Sequence, residues 1–505
     1  MHTVVDPLKR ALQIGPQALA VIDGKRQVTY AEFAHRCELL VGALRGLGVA
    51  SGERVAILAN NSLEFFEAYV GIPSGGMVVV PLNTRHAMPE LVYALADSGA
   101  QILLTDRADV GELANTVERV ISLSDEYEAL LAAATPAPLG EGVVETDLAG
   151  LFYTGGTTGA SKGVMLTHRN LIANALNWLA SVPQNASDRS LVMAPMFHAA
   201  GSNGILAAMW QGALQVPLGT FDPSAVLDLI EQHRINMTLG VPSMLAAIAE
   251  EQHANPRDTS SLRVLTHGGS PIATEVVRRT SSAFPSARMI EVYGATETSP
   301  LATLLDDEET LVDSPLARSC GRAVLGCSIS VRDTEGNELP TGEVGEVVVA
   351  GTNIMQGYWN KPEQTAEVLK HGGYWTGDMG YFDAQGFLFL VDRSKDMIVS
   401  GGENVYSTEV EDILYRHPGV LEAAVFGVPD DIWGEAVHAA VVPRADSPPL
   451  DPAELIAFCR EYIGGYKVPK GIDVQHEALP KSGPGKVLKR ELRAPFWEGV
   501  DRAVN

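Results

Sequence analysis

Cysteine and positive charge are both scarce in this chain. Four cysteines, Cys37, Cys320, Cys327 and Cys459, are too few and too scattered for a disulfide framework or a CxxC metal site. They read as reduced, mostly buried thiols. Lys and Arg number 37 against 62 Asp and Glu, a formal net charge of -25, so the field of the whole protein disfavours non-specific binding to nucleic acid or anionic lipid. Any polyanionic ligand therefore needs locally concentrated positive charge. Long apolar runs are missing as well. Hydrophobic residues make up 46% of the chain, but Gly and Pro interrupt each run before it reaches bilayer length, which predicts no membrane span. The opening MHTVVDPLKRALQIGPQ has neither a basic start before an apolar core nor an Arg- and Ser-rich pattern, so no targeting segment and a cytoplasmic protein are expected. No fixed-period repeat and no low-complexity tract occurs, which sets aside solenoids and disorder.

What is present is enough chain for more than one core. At 505 residues two or more domains are expected. From about residue 20 to 300, apolar β-rich runs alternate with helical patterns, as in RVAILAN, SLEFFEAYVGI and MVVVPL. That rhythm predicts α/β layers, with sheets covered by helices. Between about 320 and 395 the pattern changes to short strands with Gly-containing turns, as in VRDTEGNELPTGEVGEVVVAG, which predicts a β-rich subdomain. After VDRSKDMIVSGGENV a helix, two strands and a second helix follow, a small α+β domain of roughly a hundred residues. The fold class is thus α/β, with a large N-terminal domain over 1–394 and a small C-terminal domain over 395–505.

One glycine-rich stretch raises the question of function. YTGGTTGASKGVMLTHRN, from Tyr153 to Asn170, nearly spells the phosphate loop GxxxxGK[ST]. Ser161 precedes Lys162 and Gly163 follows it, so both critical positions fail and a P-loop kinase or ATPase is disfavoured. The stretch still offers backbone freedom at Gly155, Gly156 and Gly159, hydroxyls at Thr154, Thr157 and Thr158, and a cation at Lys162. Those groups suit a polyphosphate, because glycines let several N–H groups face one anion. Read locally, it is also a glycine-rich turn between a strand GLFYT and a helix THRNLIANALNWLA capped by Thr167. Other segments must decide between the two.

They are APMFHAAG, THGGSPI, EVYGATETSP, YWTGDMGYFD, VDRSKDMIVSGGENVYSTEVE, WGEAVHAAVV and LPKSGPGKVLKREL. With the opening stretch, these eight segments in this order resemble the adenylate-forming superfamily of acyl-CoA synthetases, adenylation domains and luciferases. The resemblance covers nearly the whole chain, and within the superfamily it is closest to medium-sized acyl-CoA or aryl-CoA synthetases. It implies an acid–thiol ligase that converts a carboxylic acid and MgATP to acyl-adenylate and pyrophosphate, then passes the acyl group to coenzyme A. The glycine-threonine loop would then hold the phosphates that leave as pyrophosphate.

The resemblance also implies roles for single residues. Thr154 and Glu297 would ligate Mg²⁺, a hard cation that needs few protein oxygens. Glu291, Val292, Tyr293, Gly294 and Thr296 would line the nucleotide, with Tyr293 against adenine and Thr296 at the α-phosphate. Gly268, Gly269 and Ser270 would line the adenine and acyl sites, and Asp378 and Arg393 would hold the ribose. Lys486 would be the catalytic lysine, placed where the pentacoordinate phosphorus gathers negative charge. His198, Asn203, Gly204, His267, Gly294 and Thr298 would form the acid pocket, with an apolar wall from Leu239 to Met244. No Lys or Arg in these segments suits a second substrate carboxylate, so a monocarboxylic fatty or aromatic acid is expected.

For the second half-reaction the resemblance implies a small domain that rotates about a hinge at Lys395, with Gly401, Gly402 and Trp433 contacting coenzyme A. Lys467, Lys470, Lys481, Lys486, Lys489, Arg490 and Arg493 crowd the same region against Asp473, Glu477 and Glu491, which suggests a basic patch for that anion. Three positions depart from the family pattern: Gly155 stands where Ser is common, and Ser161 and Ser407 where Pro is common. The alternatives are an acyl-AMP ligase or a module loading a carrier-protein thiol, and, outside enzymes, an inactive nucleotide-binding protein. No nucleic-acid partner is expected, and a homodimer is left open.

Overall fold

The computed structural model describes residues 2–154, 161–270, 272, 274–308, 312–393, 396–400, 403–430, 433–444, 447–481 and 487–498. The chain is mixed α/β, as expected, and divides into two compact units. One comprises Met1–Pro271, Val276–Ile329 and Val349–Trp375; the other comprises Ile272–Glu275, Ser330–Val348 and Thr376–Asn505. Among the described residues no helix is long and apolar enough to cross a membrane.

The first unit holds two large sheets. A seven-stranded sheet runs in the order Gly357–Tyr358, Lys162–Thr167, Leu148–Thr154, Val78–Pro81, Arg54–Leu58, Ile102–Thr105, Arg119–Ser122. Its last five strands are parallel. VVVP and ILLT are apolar at nearly every position because both faces of these strands are covered, and all four residues of each are buried. In the nine-stranded sheet, strands Arg288–Tyr293, Val264–Gly268, Met237–Gly240, Arg189–Val192, Leu214–Pro217 and Leu19–Asp23 form a parallel run.

Helix Leu63–Ser74 shows what the core demands. Capped by Ser62, whose hydroxyl accepts from Phe65 N at 3.3 Å, it is buried on every side, including Glu67. A carboxylate there needs partners from elsewhere in the chain. Arg36, on helix Tyr30–Gly46, donates to both Glu67 oxygens at 2.5 and 3.3 Å, and the Tyr127 hydroxyl donates at 2.7 Å. Burial pushes the Glu67 carboxyl up to about 7, and the guanidinium holds it from rising further.

The second unit is built around strand Gly434–Pro443. This strand pairs antiparallel with Val420–Asp430 and Ile398–Ser400 and parallel with Gly471–Val474. Val410, Ile413 and Leu414 of helix Ser407–Arg416 pack with Val425, Val437 and Val441 in its core. Here the basic patch read from the sequence shrinks. Lys467 is bonded to Glu409 at 2.7 Å, Lys489 to Glu411 at 2.7 Å, and Lys481 to Glu422. The count along the sequence missed them because their carboxylates lie some 60 to 80 residues upstream.

Ser407 proves useful in its departure from proline. Its N–H donates to Asp392 Oδ2 at 2.6 Å and its hydroxyl accepts from Lys489 Nζ at 2.6 Å. Proline would lose both bonds.

Replacing Arg36 by Met should destabilise the protein by about 3 kcal/mol, because a buried carboxylate loses its counter-charge. The sign with pH follows from the raised Glu67 pKa. A carboxyl whose folded pKa exceeds its unfolded value loses stability as pH rises, and removing Arg36 raises the folded pKa further. The wild-type-minus-variant difference, measured by urea unfolding, should therefore be larger at pH 8 than at pH 6. Equal differences would contradict this account of Glu67.

Candidate active site

Glu297 sits on a turn that the chain must hold closed. Strand Arg288–Tyr293 ends at Gly294, where a Cβ would lie 1.8 Å from the Pro300 carbonyl oxygen, so the return of the chain requires glycine. Within the turn, Ala295 N donates to Thr298 Oγ1 at 3.0 Å and that hydroxyl donates back to Ala295 O at 2.9 Å. Ser299 takes a left-handed conformation, φ 64°. The turn buries Thr298 and nearly buries Glu297, whose residue is 9% exposed.

A distant segment straps this turn in place. The buried Asn353 side-chain amide donates to Thr298 O and Leu301 O, both at 2.8 Å, and its backbone oxygen accepts from Ser299 Oγ at 2.7 Å. Met355 N donates to Glu297 O at 2.8 Å. The Tyr358 hydroxyl then donates to Glu297 Oε1 at 2.8 Å. Burial, and next the adjacent Glu297 charge, raise the Tyr358 pKa, so it stays a donor. Neither Asn353 nor Tyr358 was singled out from sequence. The signal was the polar Asn353 inside an otherwise ordinary GTNIMQGYW run.

Lys162 joins the same cluster, its ammonium 4.7 Å from the centre of the Tyr358 ring. Lys162 and Thr154 are direct partners in the antiparallel pair Leu148–Thr154 and Lys162–Thr167. The glycine-threonine loop therefore links two strands, not a strand and a helix, which corrects the local reading. Gly155, Gly156, Thr157, Thr158 and Gly159 lie outside the described residues. Thr167 does cap helix His168–Ser181, in a reciprocal box with Asn170.

On the nine-stranded sheet, Gly268 lies where a Cβ would be 2.3 Å from Val292 O, and Gly269 has φ 81°. Glu291, Val292 and Tyr293 occupy the end of the neighbouring strand, with Glu291 directly opposite His267. His267 is fully buried and bonded to Glu308 at 2.5 Å. Burial opposes its charge, but the Glu308 carboxylate outweighs this and raises its pKa; burial raises Glu291 in turn. It is Thr266, the preceding residue, that lines a cavity.

That cavity lies along helix Ala199–Gln211, with Gly201, Gly204, Ile205, Leu239 and Thr266 in its wall. His198 occupies the N-cap position of the helix without a side-chain capping bond. Burial, then Arg85 and His86, bring its imidazole down to about 4, so it is neutral at pH 7. Arg85 and His86 were not anticipated. Asn203 belongs to the helix by its backbone, and its side chain lies outside the described set.

In the second unit Asp378 and Arg393 are backbone partners across an antiparallel pair. Gly377, at φ 74°, gives its N–H to Glu346 Oε1 at 2.9 Å, and Asp378 N donates to Thr376 Oγ1 at 3.0 Å. Trp433 is 49% exposed. Lys395, Gly401, Gly402 and Lys486 lie outside the described residues.

Comparisons with known proteins place the chain in a family. Residues 8–359 match the model of the AMP-binding enzyme family, and residues 409–486 match the AMP-binding enzyme C-terminal domain. A feruloyl-CoA synthase of Amycolatopsis is 41% identical over 97% of this chain and 98% of its own. A long-chain-fatty-acid–CoA ligase of Mycobacterium tuberculosis is 33% identical over 98% and 99%. The o-succinylbenzoate CoA synthetase of Bacillus subtilis, solved with its acyl-adenylate intermediate, superposes with a TM-score of 0.88 at 31% identity over 97% and 98%. Solved with ATP and magnesium ion, it superposes at 0.86 and 30% identity over 97% and 99%.

Changing Asn353 to Ala should cost about 2–3 kcal/mol, since it leaves the Thr298 and Leu301 carbonyls buried without their donor. Calorimetry should show a lower melting temperature for the first unit. An unchanged transition would remove Asn353 from its role as the strap.

Proposed function

The chain belongs to the AMP-binding enzymes, and from that membership we propose that it is an AMP-forming acyl-CoA synthetase acting on a fatty or aromatic monocarboxylic acid. One observation carries the reading at the level of chemistry. A nearly buried carboxylate, Glu297, is held at 2.8 Å by Tyr358, on whose ring the Lys162 cation rests beside the strand end at Thr154.

The donor set fits a magnesium ion. Tyr358 takes one oxygen of Glu297, and the other oxygen, with the Thr154 hydroxyl, would supply the hard donors this cation takes while keeping water ligands. Bound there with ATP, the ion would draw charge from the phosphates. The remaining work belongs to the chain. Substrate carboxylic acids, with pKa near ~4, are already ionised, so no general base is needed. The problem is to bring this anion to a triphosphate. Lys162, the loop backbone and Lys486 would offset the negative charge, while neutral His198 would orient the carboxylate by a hydrogen bond without adding charge. Tyr293 and Gly268 to Ser270 would hold adenine, Asp378 and Arg393 the ribose, and Thr296 the α-phosphate.

In the thioester step, rotation at Lys395 would withdraw Lys486 and admit coenzyme A past Gly401 and Gly402, with Trp433 stacking on its adenine. The four cysteines are free thiols, which supports a reducing, cytoplasmic setting.

Two measurements test these assignments. Lys486→Ala should nearly abolish adenylate formation yet leave coenzyme A capture of supplied acyl-adenylate largely intact; an equal fall in both would overturn its role. Tyr358→Phe should raise the Mg²⁺ concentration needed for half-maximal pyrophosphate exchange by about tenfold, equivalent to one hydrogen bond to a charged group. An unchanged magnesium dependence would separate Tyr358 from the metal site.

A further inference from the structure

We infer that the cavity along helix Ala199–Gln211 selects an aryl acid bearing a hydroxyl at its far end, and that Gln215, Trp178 and Gln184 are the residues that select it. This rests on the cavity being the acid site of the synthetase proposed above.

The starting point is polar atoms where apolar ones would serve better. Gln215 lies in strand Leu214–Pro217, whose four residues are all buried, and is itself 1% exposed. Neither its amide nitrogen nor its carbonyl oxygen has a hydrogen-bond partner. The Trp178 indole N–H, on a residue 5% exposed, and the Gln184 carbonyl oxygen are unpartnered too. Among the described residues eleven buried side-chain polar atoms lack a partner, and these four all belong to residues that line this one cavity. A buried group of this kind is destabilising when left unpaired. Leu or Met at 215 would fill similar volume without that cost.

Together these atoms define a complement. Trp178 can only donate, Gln184 presents an acceptor, and Gln215 can do both. A ligand hydroxyl, which donates once and accepts twice, answers both donors and one of the two acceptors. A methyl group answers none of them, and an ether answers only the donors.

Glycine leaves room on the helix side of the cavity. Gly201 and Gly204 present no side chain on the helix wall, and the sheet contributes residues such as Thr238 and Thr266 to the lining. The two glycines differ in cause. A Cβ on Gly201 would lie 2.0 Å from Pro195 O, so packing alone requires it. A Cβ on Gly204 would meet nothing within 4 Å, so no protein atom requires glycine there, and the space it leaves belongs to the cavity.

The test compares 4-hydroxycinnamate with 4-methylcinnamate, nearly equal in size, together with a straight-chain alkanoate, in ATP/pyrophosphate exchange. Wild type should prefer the hydroxy acid by at least about 100-fold in kcat/KM, because a site built around a hydroxyl rejects an analogue lacking it. Gln215→Leu should lower that preference at least tenfold, mainly through KM, with thermal stability equal to or above wild type. A purely structural Gln215 would instead lose stability and change both acids alike. Trp178→Phe should shift the preference in the same direction and carries the test if Gln215→Leu does not fold. Equal use of both cinnamates by wild type, or exchange with the alkanoate alone, would overturn the inference and leave the synthetase standing. Exchange with no acid at all would overturn the synthetase reading itself.

Discussion

The hydrogen bond from Tyr358 to Glu297 is the constraint on which the site depends. It holds a nearly buried carboxylate still without neutralising it, where a lysine or arginine would offset its charge. The hydroxyl can be there only because the polypeptide from Asn353 to Tyr358 runs along the Glu297 turn. Asn353 ties down Thr298, Ser299 and Leu301, and Met355 ties down Glu297 itself. Gly294 lets the turn close against Pro300. The same ring carries Lys162 on its face, so one residue fixes both the carboxylate and a cation. Rigidity of this kind is what electrostatic catalysis requires, because groups already in place need no reorganisation as charge develops.

Charge elsewhere is managed by the same economy. In a chain of net charge -25, a carboxylate buried in the first unit, Glu67, is met by Arg36 and Tyr127, and in the second unit Glu409, Glu411 and Glu422 engage Lys467, Lys489 and Lys481. Fewer cations of that unit are then left for an anionic ligand than its lysine content suggests. His198, kept neutral by burial and by Arg85 and His86, adds no charge to the balance.

The sequence made some of this legible and hid the rest for identifiable reasons. Runs such as VVVP and ILLT show buried parallel strands because their apolar pattern is the consequence of two covered faces. Thr167 was visible as a cap because capping is local, decided within three residues. The Lys162–Thr167 strand was not, since its pairing with Leu148–Thr154 is what makes it a strand. Asn353 and Tyr358 act across more than fifty residues, and Gln215 looks like any glutamine until its burial is known. Motif spelling brought out Glu297, Asp378 and Arg393; the partners that hold such residues are fixed by tertiary contact.

In the proposed reaction this framework directs a carboxylate oxygen to the α-phosphorus of ATP. Turnover of a carboxyl-¹⁸O-labelled acid with ATP and coenzyme A, followed by mass spectrometry of both products, tests it directly. The account predicts one labelled oxygen in AMP and none in pyrophosphate. Label appearing in inorganic phosphate or pyrophosphate, with unlabelled AMP or ADP, would contradict it.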